Sequence, residues 1–176
     1  MNILLSKIHA RFRQLRSGEV SDNLRAQGVV YRVAWGVESY KLKTIADEFR
    51  SLVEDEGSLA ELADKLWAED VRESKMLATR LHPVSLMTLE KAESWASDVR
   101  YTEQADQLCM NLLSHLAFAR NLVKAWIDGD TLHQYMALHI ASRLEIDDSS
   151  LRLKACSIVN NTQQPLWLRS MANNIV

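Results

Sequence analysis

Apolar residues recur at the spacing of an α-helix through most of this 176-residue chain. In the clearest stretch, positions i, i+3, i+4, i+7 and i+8 are Leu59, Leu62, Ala63, Leu66 and Trp67. An α-helix places these positions on one face, which must be buried against a neighbour. Only five Gly and two Pro interrupt the chain, a composition that favours long helices over a turn-rich β fold. The sequence therefore predicts an all-α fold.

The apolar stripes belong to short helices separated by very short breaks. Two of these helices end in similar sequences, Met-Leu-Ala-Thr-Arg-Leu at 76–81 and His-Ile-Ala-Ser-Arg-Leu at 139–144. Such weak internal similarity favours stacked helix pairs. We therefore predict a single HEAT-like helical-repeat domain over residues 1–176, folded as a right-handed α-α superhelix, or solenoid, of HEAT-like helix pairs. A compact helical bundle is the alternative.

Charge is unevenly distributed along the chain. The net charge is −2, and residues 1–50 carry nine Lys and Arg against five Asp and Glu. Residues 51–110 carry six against thirteen, and residues 111–176 carry six against five. This distribution speaks against a uniformly basic nucleic-acid binder, so any DNA contact must be local.

The first predicted helix is amphipathic and basic, and Gly18 is expected to end it. A solvated face that packs on the next helix is favoured over a dedicated nucleic-acid arm. Beyond a looser region around Gly28 and Gly36, Ser39 is the expected N-cap of the following helix. The cations of the first helix are Lys7, Arg11, Arg13 and Arg16.

The sequence lacks the motifs of several enzyme classes. There is no Gly-rich phosphate loop, no HExxH, no GxSxG and no cluster of Cys and His, so no metal or cofactor is expected. No window approaches the length of a membrane span and no cleavage pattern follows the N-terminus, which predicts a soluble cytoplasmic protein. Cys109 and Cys156 lie on apolar helix faces without CxxC spacing and are expected to be buried free thiols.

Asp106 is the acid with the most unusual position. It lies beside the apolar stripe of its helix, one residue after Ala105 and two before Leu108. An acid there must find a partner or face a groove. Thr102 precedes it by one helical turn and Tyr101 lies at the expected helix start, so all three are predicted to line one surface. From the residue alone, an ordinary exposed or capping aspartate is the simpler interpretation, and no histidine is favoured as a catalytic base.

From about Tyr31 onward, the order and spacing of several landmarks resemble the AlkD-like family of DNA alkylation-repair glycosylases, which are built from HEAT-like repeats. The landmarks are Trp35-Gly36-Val37 before the Ser39 helix, Leu66-Trp67 with Arg72-Glu73, Ala105-Asp106, and the repeat from Trp126 to Leu144.

The resemblance implies a reaction and a partner. Asp106 would be the catalytic carboxylate that stabilises the sugar cation formed as an N3- or N7-alkylated purine leaves duplex DNA. Members of this family are thought to act without flipping the base into a pocket. No cofactor is implied. The residues expected to contact DNA are Tyr101, Thr102, Arg72, Lys75, Lys124, Gln134 and Arg169.

The chain departs from the family pattern at three site positions. Thr102 stands where the family has a tryptophan four residues before the aspartate, and Asn173 stands near the position of a second tryptophan, six residues after Trp167. Gln134 falls near a family arginine. Each aromatic contact to nucleic acid contributes about 1–3 kcal/mol, so an active glycosylase and a divergent DNA binder both remain open. The other alternative is a non-catalytic HEAT-like module that holds a protein partner on its concave face.

Overall fold

The computed structural model describes all residues from 1 to 176 and contains eleven α-helices and no β-strand. The predicted all-α class is confirmed. The chain divides into two compact units, Met1–Met87 and Thr88–Val176, called unit 1 and unit 2 below. The assignment of one domain to residues 1–176 stays a prediction.

Unit 1 is built around α5, whose residues are almost all buried between α3 and α4. Helix α1 contacts α4, and a 3-10 turn at Val84–Leu86 follows α5. The apolar stripe predicted for α4 is confirmed, since all five of its residues are buried. The helices of unit 1 are α1 (Asn2–Gln14), α2 (Gly18–Ala26), α3 (Ser39–Leu52), α4 (Glu56–Trp67) and α5 (Arg72–Leu81).

Two predicted helix boundaries in unit 1 are wrong. Gly18 begins α2 instead of ending α1, because Ser17 is extended and its hydroxyl accepts the Val20 N–H at 3.4 Å as an N-cap. Ser39 is the first residue of α3, and Glu38 occupies the N-cap position without a side-chain cap. Helix α2 was not predicted, because it has no apolar stripe and its only buried residue is Ser21.

Glu73, fully buried near the start of α5, holds the loop before α3 in place. Its carboxylate accepts the backbone N–H groups of Trp35 and Gly36, both at 2.9 Å, and of Val37 at 3.2 Å. The Arg72 guanidinium donates to Glu73 at 2.9 Å and to the Val37 carbonyl at 3.1 Å. We call these five residues the Glu73 latch. The segment Trp35-Gly36-Val37 and the pair Arg72-Glu73, which are far apart in the sequence, therefore contact each other directly in the fold.

Gly36 is required in this latch for two reasons. Its φ of +72° is in the left-handed region that side chains rarely adopt. A Cβ at this position would also lie 2.1 Å from the Ser17 carbonyl oxygen, a contact that needs the backbone to move.

Unit 2 places three helices side by side, because α9 contacts both α7 and α11. Helix α8 packs on α9, and α10 packs on α11. The carboxylates of Asp130 and Asp148 cap α9 and α10 by accepting backbone N–H groups at their starts. A 3-10 turn at Leu113–His115 follows α7. The helices are α6 (Leu89–Ser97), α7 (Thr102–Asn111), α8 (Ala119–Trp126), α9 (Thr131–Arg143), α10 (Ser149–Asn160) and α11 (Leu166–Ala172).

Both cysteines are free thiols, as predicted, but only Cys109 is buried, and Cys156 is partly exposed on α10. None of the eleven helices combines the length and the apolar character that a transmembrane span requires.

Candidate functional site

The carboxylate of Asp106 is held through one of its two oxygens. Asp106 lies on α7, and 36% of its side chain is exposed. The Tyr135 hydroxyl donates a hydrogen bond of 2.8 Å to Oδ1. His139 Nε2 lies 3.5 Å from the same oxygen. Both partners come from α9, one helical turn apart, so α9 orients the carboxylate and leaves Oδ2 without a hydrogen-bond partner in the protein.

Partial burial is the main cause that shifts the pKa values of Asp106, Tyr135 and His139. Burial raises the pKa of the Asp106 carboxyl, and the Tyr135 hydrogen bond opposes this more weakly. Burial also raises the pKa of the Tyr135 hydroxyl, so it remains a donor. Burial lowers the pKa of His139, which favours the neutral imidazole. With Nε2 facing the carboxylate, the buried Nδ1 of His139 has no hydrogen-bond partner.

An aromatic side chain adjoins this group from α11. The rings of Trp167 and Tyr135 meet edge to face, with centroids 5.3 Å apart and an interplanar angle of 76°. Trp167 is 37% exposed, so part of its ring is available to a ligand. We call Asp106, Tyr135, His139 and Trp167 the Asp106 cluster.

Asp106 is the one member of this cluster that was predicted as a site residue from the sequence. Tyr135 and His139 lie four residues apart on α9, a spacing that places them on one helix face. That spacing was the available signal, but it did not show which helix the face contacts. Asn173, at the expected position of a second aromatic, is an exposed residue at the end of α11.

The two predicted neighbours of Asp106 lie at the start of its helix. Thr102 is the first residue of α7 and Tyr101 is its N-cap residue, and both are partly exposed. The Arg100 guanidinium lies over the Tyr101 ring, 5.7 Å from its centroid. Thr102 is one turn before Asp106, so its small side chain lies beside the carboxylate on the same face of α7.

Two residues predicted to contact phosphates are buried inside unit 1, which contradicts that role. Arg72 is 3% exposed and belongs to the Glu73 latch. Lys75 is 6% exposed, donates to the Trp67 carbonyl at 2.7 Å and lies 4.7 Å from the centroid of the Trp67 ring. Neither cation can reach DNA without leaving partners that a buried charge needs.

The remaining predicted contacts belong to unit 2 but not to one place. Gln134 and Arg169 lie on the helices that carry Tyr135 and Trp167. The Gln134 Oε1 atom is buried without a hydrogen-bond partner, and Arg169 Nε donates to the Val159 carbonyl at 2.9 Å. Lys124 is exposed on α8. No group of His, Cys, Asp and Glu is arranged to hold a metal ion.

The fold is that of a HEAT-like helical-repeat protein. One solved structure superimposes on 97% of this chain, and the match covers 73% of the chain in that structure. The TM-score is 0.79 and the sequence identity is 17%. It belongs to "a new family of proteins related to the HEAT-like repeat DNA glycosylases with affinity for branched DNA structures". This similarity confirms the predicted HEAT-like helix pairs.

The family is shown by the sequence itself. The family described as DNA alkylation repair enzyme matches residues 8–157, and the chain therefore belongs to that family. The matched range includes Asp106, Tyr135 and His139 and ends before Trp167. No curated protein matches the chain.

Proposed function

We propose that the chain binds DNA through the face of unit 2 that carries the Asp106 cluster, and that it excises N3- or N7-alkylated purines as a DNA glycosylase. The observation that carries this proposal is the half-exposed Asp106 carboxylate, with Oδ1 held by Tyr135 and Oδ2 unpaired. An oxygen that the protein leaves free on an exposed face is available to a ligand that docks there.

Such a carboxylate suits this reaction. An N3- or N7-alkylated purine is already cationic, so the departing base needs little acid catalysis. The sugar becomes positively charged as the glycosidic bond breaks, and a fixed negative charge nearby stabilises that state. Because Asp106 is partly withdrawn from water, its attraction to the sugar cation is less screened than at an open surface. The Tyr135 hydrogen bond holds the carboxylate in position and favours its ionised form.

Trp167 and Thr102 give the site its shape. The exposed edge of Trp167 offers an aromatic contact next to Tyr135, and one such contact with a nucleotide contributes about 1–3 kcal/mol. Thr102 leaves space beside Asp106 where a larger side chain would stand. We infer that the aromatic support comes from α11 and not from the start of α7.

The test is release of 7-methylguanine from alkylated duplex DNA by the purified chain and by Asp106→Asn. The substitution keeps the size of the side chain and removes its charge, so the excision rate should fall by about 100-fold or more. Asp22→Asn is the matched control, because Asp22 is an exposed unit 1 residue paired only with Arg25. Equal release by both variants and the parent chain would refute a catalytic role for Asp106.

A second candidate function is binding of branched DNA without chemistry. The matched structure belongs to proteins with affinity for branched DNA structures. In this chain, two of the predicted phosphate contacts, Arg72 and Lys75, are buried. Residues 88–176 carry eight Lys and Arg against ten Asp and Glu. Both facts favour a few local DNA contacts over a long duplex interface. Gel mobility shifts at low salt should show tighter binding to a four-way junction than to a linear duplex of equal length, with Asp106→Asn binding as well as the parent chain.

The protein-partner alternative makes the opposite prediction. If neither DNA form shifts at low salt and a pull-down from lysate retains the same protein after nuclease treatment, the HEAT-like module serves a protein partner and both DNA proposals fail.

A further inference from the structure

A cavity in unit 2 lies apart from the Asp106 cluster. It is formed by α8, the connection after α9 and the start of α10, and its volume is about 360 Å³. That volume is at the lower end of the range for small-molecule sites. Four apolar side chains contribute to its lining, and no member of the Asp106 cluster does. The apolar side chains are Val123, Ile127, Ile146 and Leu151.

Most charged groups around this cavity are already neutralised. The Lys154 ammonium forms an ion pair with the Asp128 carboxylate across the cavity lining. Asp147 is paired with Arg152 at 2.9 Å. These two carboxylates therefore have cationic partners within the protein.

The third carboxylate of the lining, that of Asp148, caps the start of α10. Asp148 Oδ1 accepts the Ser150 N–H at 2.8 Å, the Leu151 N–H at 3.1 Å and the Ser150 hydroxyl at 2.5 Å. The Ser150 hydroxyl bond is the largest cause that lowers the pKa of Asp148, and the positive charge of Lys124 adds to the effect. Asp148 is thus an ionised cap that attracts the ammonium of Lys124 without forming a close ion pair with it.

Two cations of the lining are not held in a close ion pair. Arg120 and Lys124 are exposed on α8, and neither forms an ion pair or a hydrogen bond. They lie four residues apart, so both project from the same helix face. The cavity therefore combines an apolar wall with two adjacent positive charges at its rim.

We propose that this cavity binds a phosphomonoester carried on a flat ring system, with a nucleoside 5′-monophosphate as the representative ligand. A phosphomonoester carries a charge of about −1.5 to −2 at neutral pH, which matches Arg120 and Lys124 together. The planar guanidinium of Arg120 can bind two phosphate oxygens at once. The apolar wall takes the ring and removes it from water.

Calorimetric titration of the full chain with 2′-deoxyguanosine 5′-monophosphate tests this site. We expect saturable binding of one nucleotide per chain, with deoxyguanosine and inorganic phosphate each binding at least about 10-fold more weakly, since each lacks one of the two groups recognised. The double variant Arg120→Gln/Lys124→Gln should weaken nucleotide binding by about 10-fold or more. Arg13→Gln/Arg16→Gln is the matched control, because it removes two exposed charges of unit 1, one near the end of α1 and one just after it.

Four results would overturn the proposal. These are no saturable binding at millimolar nucleotide, inorganic phosphate binding as tightly as the nucleotide, equal weakening by the two double variants, and loss of binding in Asp106→Asn. The last would place the nucleotide at the Asp106 cluster. Asp106→Asn should otherwise bind the nucleotide like the parent chain, so this site and the proposed glycosylase activity succeed or fail separately.

Discussion

The Glu73 latch in unit 1 and the Asp106 cluster in unit 2 both withdraw a carboxylate from water, but they treat it differently. Glu73 is fully buried, and its two oxygens accept three backbone N–H groups and the Arg72 guanidinium. Asp106 is only half-buried, and one of its oxygens has no partner. A buried carboxylate with both oxygens engaged serves the fold, whereas one that is held through one oxygen and partly exposed can act on a ligand.

Removing the carboxylate of the latch should have the largest effect on stability. Glu73→Ala takes the Glu73 carboxylate away from the buried Arg72 guanidinium and from three backbone N–H groups. Loss of one member of a buried pair costs about 3–5 kcal/mol, and urea unfolding followed by circular dichroism measures it. Glu61→Ala is the control, since exposed Glu61 pairs only with Lys65 and its loss should change stability far less. Similar losses in the two variants would mean that Glu73 does not hold unit 1 together.

Gly36→Ala tests the geometry of the same latch without touching its charges. Strain from the positive φ and the close Ser17 carbonyl should together cost about 3 kcal/mol, the upper part of the range for backbone strain. Gly28→Ala separates the two causes, because Gly28 has a similar φ of +79° but open space around it. We expect Gly28→Ala to cost only about 1–2 kcal/mol. If the two variants have equal midpoints in the same urea titration, the contact with Ser17 contributes nothing.

The latch also shows where sequence reasoning stops. The stripe of α4 is predictable because helical spacing is a local property. Helix α5 has no such stripe, since it buries Arg72 and Lys75 as well as apolar residues. Their partners lie up to 35 residues away along the chain, so exposed phosphate contacts were the natural but incorrect interpretation.

The candidate site was predictable only in part. Asp106 could be singled out because its position beside a stripe is visible within one helix. Its partner Tyr135 is 29 residues away, and Trp167 follows on yet another helix. Which face of α9 meets α7 depends on tertiary packing and not on local pattern. The fold was therefore largely predictable, whereas the composition of the site was predictable for Asp106 alone.

Tyr135→Phe should have a small effect on stability and a clear effect on pH dependence. Loss of one hydrogen bond costs about 1 kcal/mol. Because that bond lowers the pKa of Asp106, its removal should raise this pKa further and move the acid limb of excision activity to higher pH. Rate-against-pH profiles of 7-methylguanine release measure the shift, with Tyr40→Phe, at an exposed position, as control. An unchanged acid limb would show that Tyr135 does not set the ionisation of Asp106.

The smallest expected effect is a gain in stability when the charge of Asp106 is removed. The pKa of Asp106 is higher in the folded chain than its ordinary value because burial disfavours the charged form. Folding therefore favours the protonated carboxyl, and that contribution, present at low pH, is lost as the pH rises through the folded-state pKa. Asp106→Asn should accordingly stabilise the chain at pH 7 by no more than about 1 kcal/mol, since water screens a half-exposed group. The Tm should then rise by up to about 3 °C, and the gain should vanish near pH 3, where the parent carboxyl is protonated.

Glu73→Gln, tested in the same melts, should lower Tm at pH 7, because both oxygens of the Glu73 carboxylate accept hydrogen bonds within the latch. A loss of stability in both variants at pH 7 would mean that Asp106, like Glu73, is maintained for the fold, whereas opposite signs would separate a group held for binding or chemistry from one held for structure.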